Sequence, residues 1–210
     1  MTKNLLALAG LLLIAACGGG EPAKTPNVEQ GEVDLTVREM AGPSTWEIDR
    51  EASTIRFRAT QNNKEFIGTF GAWNAGILMN PESPAEEGEI EAIIDLASAD
   101  AGTNDRNNAL PEEGWFNTAL HPTAIYRSND ITDTGEGSYN AEGTLTIKGI
   151  TRDVSMPFAL EIAEDGRAIA DGSVLLDRSE FGVGSGEFAD GKWVGLEVEV
   201  LLHIEAVPAG

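Results

Sequence analysis

The chain of 210 residues has one cysteine and few basic residues. A lone cysteine has no partner within the chain, so a framework of internal disulfide bonds is excluded. Lysine and arginine total 14 against 35 acidic residues, for a formal charge of −21, which argues against binding to nucleic acid or to anionic lipid headgroups. Apolar residues still make up 41% of the chain, more than a disordered acidic protein contains. The composition predicts an acidic globular protein of one domain with appendages.

Residues that would support catalysis or metal binding are also scarce. The only histidines are His121 and His203, and neither is accompanied by the further ligands that a zinc site needs. Ser185 lies in a glycine-rich run, but a nucleophile elbow requires glycine where this chain has Val183 and Glu187. The sequence therefore identifies no catalytic residue and no metal ligand, and it does not predict an enzyme.

The first 16 residues have the pattern of a secretory signal peptide. Lys3 precedes an apolar run over 5–16, which is too short to cross a bilayer core that needs about 20 residues. The end of the run, Ile14-Ala15-Ala16-Cys17, resembles the lipobox of bacterial lipoproteins. The resemblance implies that Cys17 becomes the acylated N-terminus, on the periplasmic side of the outer membrane because Gly18 follows it. The alternative is a plain signal peptide with an incidental cysteine, for which Ile14 is poorly suited.

Residues 17–44 are predicted to form the lipidated N-terminus and a flexible linker. Three glycines follow Cys17, prolines recur, and apolar periodicity is weak, so the segment buries too little surface to order itself. A brief strand or turn over residues 32–40 remains an alternative to a fully flexible linker. The remainder, 45–210, has the size of a single domain.

This domain alternates between apolar and polar residues almost throughout, which predicts strands with one dry and one wet face. The clearest run ends the chain, with Val194, Leu196, Val198, Val200, Leu202 and Ile204 on one face. Lys148-Gly149 separates two alternating runs and predicts a tight hairpin. Between Phe66 and Ile77 the alternation changes face, which predicts a bulge near Gly71-Ala72.

The predicted fold class is all-β and antiparallel, with about eight strands and one short helix near 103–117. The periodicity alone leaves a barrel and a sandwich open. Large apolar residues on the predicted inner faces form either an ordinary packed core or the wall of a cavity for an apolar ligand. The candidate lipid-binding residues are Phe57, Phe66, Phe70, Trp73, Ile77, Trp115, Phe116, Tyr126, Leu145, Phe158, Leu176 and Leu196. Ala141 is expected on the same lining.

From Trp46 to Ala206 the chain resembles the YceI-like family, described as polyisoprenoid-binding proteins with a lipocalin-like barrel. The matching segments include Trp46-x-Ile48-Asp49, then GTLTIKGITR over 143–152 and LDRSEFGVG over 176–184. The resemblance implies an antiparallel lipocalin-like barrel that needs no cofactor other than a bound isoprenoid lipid or quinone. The chain departs from the family pattern at Ala52, at Thr103 and at Asn107, so the headgroup preference is not inherited from the family.

The leading hypothesis is a membrane-tethered envelope lipoprotein that binds an isoprenoid quinone or a polyprenyl carrier in its barrel. The strong negative charge favours a neutral headgroup over that of a phospholipid. The alternative is an envelope stress or structural lipoprotein whose barrel is packed solid. The sequence leaves the oligomeric state open, a homodimer included.

The lipobox resemblance predicts that the Cys17→Ser variant accumulates as an unprocessed precursor that no longer incorporates labelled palmitate. The measurement is metabolic labelling followed by separation on a gel. Equal labelling of the variant and the parent protein would contradict acylation at Cys17.

Overall fold

The computed structural model describes residues 32–38, 40–80, 82–86 and 88–210. The predicted signal peptide 1–16, Cys17 and the first part of the predicted linker lie outside these residues. Residues Val33–Gly210 form one compact unit. In the part of the chain that is described, no helix is long and apolar enough to cross a membrane.

The described residues form eleven strands and one α-helix. The strands are β1 (Trp46–Ile48), β2 (Thr54–Gln61), β3 (Lys64–Phe70), β4 (Trp73–Leu78), β5 (Glu89–Asp95), β6 (Ala99–Asp100), β7 (Thr123–Gly135), β8 (Ser138–Ile147), β9 (Ile150–Ile162), β10 (Ala168–Asp177) and β11 (Glu197–Pro208). The helix α1 spans Asn104–Ala109, and short 3₁₀ turns lie at Leu96–Ser98, Arg178–Phe181 and Gly186–Phe188. All pairings are antiparallel, in the order β4-β5-β7-β8-β9-β10-β11-β2-β3-β6, and β1 also pairs with β11.

Eight long strands account for nearly all of this sheet. β1 and β2 lie one after the other along the same edge of β11, separated by residues 49–53. β3 and β4 are likewise consecutive halves of one bent strand, so the two ends of the sheet adjoin and the sheet curls into a barrel. The predicted antiparallel, lipocalin-like barrel of about eight strands with one short helix is therefore confirmed.

The predicted bulge lies at Gly71-Ala72, where β3 ends and β4 begins. The Gly71 N–H donates to the Ser98 carbonyl at 3.2 Å, and the Asp95 N–H donates to the Ala72 carbonyl at 2.9 Å. With these two residues outside the alternation, the side chains that precede and follow them both reach the interior. The extra residues keep one apolar face through the corner of the barrel.

The predicted hairpin between β8 and β9 is confirmed. Lys148 and Gly149 both have positive φ, 52° and 75°, as a two-residue hairpin turn of the favoured twist requires. A Cβ at Gly149 would lie 3.0 Å from Cε1 of His121, so this position has a second reason to be glycine. The predicted helix is also present, although it covers only the first half of the region 103–117 before turns replace it.

Residues 33–38 and 40–44, which we call the strap, lie against the outer face of β4 and β5, within the predicted linker. Val33, Leu35 and Val37 alternate as half-buried residues with exposed neighbours, as in an edge strand. The Asn74 side chain donates to the Leu35 carbonyl at 3.1 Å. Gly76 gives the strap room, since a Cβ there would lie 2.7 Å from Cγ1 of Val37. The compact unit therefore begins before the predicted boundary at residue 45.

The strap buries Glu91, which points outward from β5 and is only 1% exposed. Its carboxylate accepts the Arg38 backbone N–H at 2.6 Å and pairs with the Arg127 guanidinium at 2.8 Å. Glu89, two residues earlier, accepts the Ala41 N–H at 2.6 Å at a more exposed position. A buried carboxylate is tolerated only where donors replace its water, and the strap supplies one of them.

We expect Glu91→Gln to lower the free energy of unfolding by about 2 kcal/mol, because it removes the charge from a buried carboxylate that pairs with the partly buried Arg127 guanidinium. Glu89→Gln is the matched control and should cost less than about 1 kcal/mol, as surface interactions do. Urea unfolding of the two variants measures both values. Equal losses would show that burial under the strap does not strengthen the Glu91 interaction.

Candidate functional site

The barrel encloses one continuous cavity of about 800 Å³. At one end, which we call the closed end, Trp46, Met79, Ala168 and Ala206 pack into a buried cluster. The Trp46 indole N–H donates to the Met79 carbonyl at 3.1 Å and fixes β1 against the end of β4. The volume lies within the range of about 300–1,000 Å³ that small-molecule sites have.

The strand alternation makes the wall of this cavity apolar. Along β11, Val198, Val200, Leu202 and Ile204 line the cavity, whereas Glu197 lies outside it and is exposed. Each antiparallel strand with one wet face repeats this arrangement. The inner face of each strand is therefore apolar, and its polar residues lie on the outer face.

The structure brings together eleven of the twelve predicted lipid-binding residues. The eleven that line the cavity are Phe57, Phe66, Phe70, Trp73, Ile77, Trp115, Phe116, Tyr126, Leu145, Phe158 and Leu176. Their contact with a lipid remains a prediction. Phe57 lies at the centre of the aromatic part, with ring centroids 6.3 Å from Phe66 and 5.3 Å from Phe70.

Leu196 does not line the cavity, contrary to the prediction. β11 begins only at Glu197, and Leu196 lies in the bend before it. Its carbonyl accepts the Arg178 N–H at 3.0 Å, and its side chain lies against Gly191. The apolar periodicity extends upstream of the first residue of β11, so it wrongly predicted that Leu196 lines the cavity.

Ala141 is also absent from the cavity wall, although it lies on an inward face. It is fully buried in a cluster with Ile131, Val154 and Met156. The carbonyl of Ala141 accepts the Tyr126 hydroxyl at 2.8 Å. Periodicity identifies which face of a strand points inward. It does not identify where along the barrel axis the inward side chains pack against one another and leave no cavity.

Polar side chains line the cavity at the end opposite to the closed end, which we call the mouth. Its residues are Gln61 and Asn62 at the end of β2 and Thr103, Asp105 and Arg106 at the start of α1. Asn62, Thr103 and Asp105 are exposed, so the cavity meets solvent here. The departures from the family pattern around Thr103 and Asn107 predicted polar residues near a mouth, but no signal in the sequence joined Gln61, Asn62 and Asp105 to them.

Arg106 crosses the mouth. Its Nε donates to Oε1 of Gln61 at 2.7 Å, its Nη1 donates to the Ala101 carbonyl at 2.9 Å, and its Cζ lies 3.9 Å from the centroid of the Phe66 ring. The guanidinium is thus held against an aromatic wall by a cation–π contact. It places a positive charge at the opening of the cavity.

Arg178 is the second arginine at the cavity wall, and it is only 5% exposed. Its five N–H groups donate to backbone carbonyls at 2.5–3.0 Å. The acceptors are the carbonyls of Gly195, Val183, Gly184, Phe188 and Val194. A Cβ at Gly184 would lie 2.0 Å from Nη1, so only glycine admits the guanidinium. Arg178 holds the loop between β10 and β11 in place, and burial lowers its pKa.

The charge at the cavity wall differs from that of the whole chain. The charged side chains that line it are Asp105, Arg106 and Arg178, which leaves one net positive charge. Among the described residues neither arginine is in an ion pair with a carboxylate. The preference for neutral headgroups, which was inferred from the chain's charge of −21, does not follow from this local balance.

The comparison with protein families agrees with this architecture. A family model for the YceI-like domain matches residues 46–206, from β1 to two residues before the end of β11. The chain belongs to the YceI-like domain family. The matched region contains β1 to β10, all but the last two residues of β11, and every residue of the mouth.

Solved structures and curated proteins that are similar to this chain cover most of its length. Burkholderia cenocepacia BcnA is 30% identical, with a TM-score of 0.73 over 77% of this chain and 100% of its own. A UPF0312 protein of Azotobacter vinelandii is 24% identical over 76% of this chain and 85% of its own length. A polyisoprenoid binding domain from Saccharophagus degradans, implicated in plant cell wall breakdown, is 16% identical with a TM-score of 0.64 over 79% of this chain and 99% of its own. At that identity the likeness shows the fold alone.

The two histidines of this YceI-like domain lie outside the cavity. His203 faces outward from β11, with Nδ1 2.7 Å from Oδ1 of Asp171, and this hydrogen bond raises its pKa. His121 packs beside the hairpin glycine Gly149. In the described ranges no three His, Cys, Asp or Glu side chains are placed to hold a metal ion.

Tyr126 is the polar group at mid-wall. Burial raises the pKa of its phenol to about 12, and the hydroxyl donates to the Ala141 carbonyl. An unfolded tyrosine ionises near pH 10. As the pH rises above 10, the unfolded chain releases a proton that the folded protein keeps, so the free energy of unfolding falls.

We expect Tyr126→Phe to cost about 1 kcal/mol at pH 8, because a buried hydrogen bond is lost. Between pH 9 and 11 the parent should lose about 1 kcal/mol more stability than the variant. Urea unfolding at several pH values measures this difference, with Tyr139→Phe as the matched control. Parallel stability curves for the parent and Tyr126→Phe would contradict the assignment.

Proposed function

We propose that this YceI-like protein binds a polyisoprenoid-type lipid, an isoprenoid quinone or a polyprenyl carrier, with the chain inside the barrel. The observation that supports the proposal most directly is the continuous cavity of about 800 Å³, which is apolar except for Tyr126 at mid-wall and the polar residues near its mouth. A ligand with one long apolar part and one polar end matches this distribution. The tail would lie along the wall toward Trp46, and the headgroup would lie beside Arg106.

The energetics favour a long apolar chain. Burial contributes about 0.8 kcal/mol for each methylene group, and the opposing cost is the ordering of many rotatable bonds. Rigid rings such as Phe57, Phe70 and Trp73 offer broad contact without losing much freedom of their own. An isoprenoid has fewer rotatable bonds per carbon than a saturated chain, so it loses less entropy in such a cavity.

The competing hypothesis is a packed barrel with a structural or stress role. A volume of about 800 Å³ is far larger than the few small voids of an ordinary core, which supports binding over structure alone. A catalytic role has less support, because the polar groups at the mouth include no nucleophile beside a base.

We further propose that the protein is tethered to the envelope through acylated Cys17, on the periplasmic side of the outer membrane. The support is the lipobox-like Ile14-Ala15-Ala16-Cys17 at the end of a short apolar run. Acyl chains bury many methylene groups in the bilayer, so two or more of them anchor a protein stably.

The test is extraction of lipid from the purified protein, followed by mass spectrometry. We expect a stoichiometric isoprenoid in the parent and less, or a shorter one, in Ala92→Phe. Ala92 lines the cavity beside Ala75, its partner on β4, so the new ring would take the place of part of the tail.

Ala141→Phe is the matched control, since Ala141 is buried in a filled cluster. We expect it to lower the free energy of unfolding by about 1–3 kcal/mol through overpacking, without shortening the bound lipid. Ala92→Phe should melt cooperatively near the parent's temperature. A parent protein that contains no stoichiometric lipid would contradict the proposed function.

A further inference from the structure

The most exposed large apolar side chains of the domain are concentrated in its mouth half. Leu120, Leu175 and Trp193 are 73%, 59% and 57% exposed. Ile162 and Val207, which lie near the closed end, are 40% and 43% exposed, and Ile67 on β3 is 46% exposed. Large apolar groups that stay in water at one end of a protein indicate an interaction surface.

Trp193 lies at the rim of the mouth itself. Its carbonyl accepts the N–H of Asn62, a mouth residue, at 2.8 Å. Its neighbour Val194 lines the cavity and forms an isolated bridge with Gln61. The backbone of Trp193 is thus beside the opening, and its exposed side chain does not line the cavity.

The other two residues lie on elements that reach the same end. Leu120 belongs to the loop between α1 and β7, which contributes Trp115 and Phe116 to the cavity wall. Leu175 lies two residues before the end of β10, where the chain enters the loop that Arg178 holds.

All three lysines of the described residues are also at the mouth end. Lys64 follows the turn between β2 and β3, Lys148 lies at the tip of the β8–β9 hairpin, and Lys192 precedes Trp193. Lysine side chains at a membrane surface extend their ammonium groups toward the headgroups while the aliphatic stems cover apolar surface, and the exposed Lys64 and Lys192 can do so. The Lys148 ammonium instead donates to the Glu113 and Gly182 carbonyls at 2.7 and 3.0 Å. Acidic residues share this end, and Asp190 pairs with Lys192 at 2.6 Å, so the surface is not a basic patch.

We propose that the mouth docks on a zwitterionic lipid bilayer, with Trp193 in the headgroup region. Tryptophan favours this region because its ring is apolar and its N–H finds polar partners there. The inference rests on the proposed function, since an isoprenoid dissolves in a bilayer and enters the cavity only where the mouth meets one. The chain's charge of −21 disfavours an anionic bilayer.

The direction of the strap supports the same orientation. The strap runs beside β4 in the same direction, from Leu35 at Asn74 to Gly42 at Leu78, and β4 leads toward the closed end at Met79. The upstream end of the strap, Val33, therefore lies on the mouth side. The 15 residues between Cys17 and Val33 span at most about 50 Å, so an anchor at Cys17 would keep the domain near the bilayer.

The test uses the full chain reconstituted in phosphatidylcholine vesicles. The difference in emission between the parent and Trp193→Phe isolates the signal of Trp193, because the other three tryptophans, Trp46, Trp73 and Trp115, are common to both proteins. We expect this signal to lose most of its intensity when the vesicles contain brominated phosphatidylcholine, and to be protected from iodide in the water.

The matched control is Ile162→Trp in the Trp193→Phe background, which places an indole near the closed end. We expect this indole to stay accessible to iodide and unaffected by brominated lipid. Quenching of Trp193 by iodide alone would overturn the docking proposal. Protection from both quenchers together with a dimeric mass in solution would assign the surface to a second copy and overturn it as well. Either result would leave the lipid-extraction experiment unaffected, so failure of docking and failure of lipid binding are distinguishable.

Discussion

The backbone hydrogen bonding of the curled sheet is the interaction on which the rest of the structure depends. An interior that is only partly filled lacks some of the dispersion contacts that hold an ordinary core together. Here strands β5 and β7 to β11 each pair on both sides, and the two bent strands close the sheet at Gly71-Ala72 and at residues 49–53. Because the wall is held by backbone pairs, the side chains inside it need not fill the space between opposite strands.

The loops at the mouth need another source of order, because they are not held by the backbone hydrogen bonds of a sheet. A cluster of apolar side chains in the mouth would order these loops, but it would also close the cavity. Arg178 holds the β10–β11 loop from the side, with five donors on five carbonyls, and it needs Gly184 to fit. The cost of burying its charge is offset by hydrogen bonds to oxygens that would otherwise lack donors. An open cavity and an ordered rim are thus compatible in one small domain.

The sequence predicted the parts of this structure that depend on alternation and turn chemistry. The antiparallel strands, the Lys148-Gly149 hairpin, the bulge and eleven of the lining residues follow from these local rules. The choice of a barrel over a sandwich came from the resemblance to the YceI-like family. Leu196 and Ala141 did not, because alternation does not show where a strand ends or where the interior is filled. The contacts of Arg178 join residues that lie up to 18 positions apart in an irregular loop, and no periodic signal marks them. The strap had a usable signal in Val33, Leu35 and Val37, which the prolines around it obscured.

Net charge and local charge lead to different expectations about the ligand. The charge of −21 is spread mainly over outward faces, and at physiological ionic strength charges in water are screened beyond about 8 Å. A headgroup at the mouth would lie beside Arg106, with Arg178 behind it in a region of low dielectric where each charge acts more strongly. On the proposed function, the acidic surface would act on the approach of the protein to a bilayer, whereas the two arginines would act on a headgroup that has entered the mouth. A bilayer of low charge and a headgroup rich in hydrogen-bond acceptors satisfy both conditions at once.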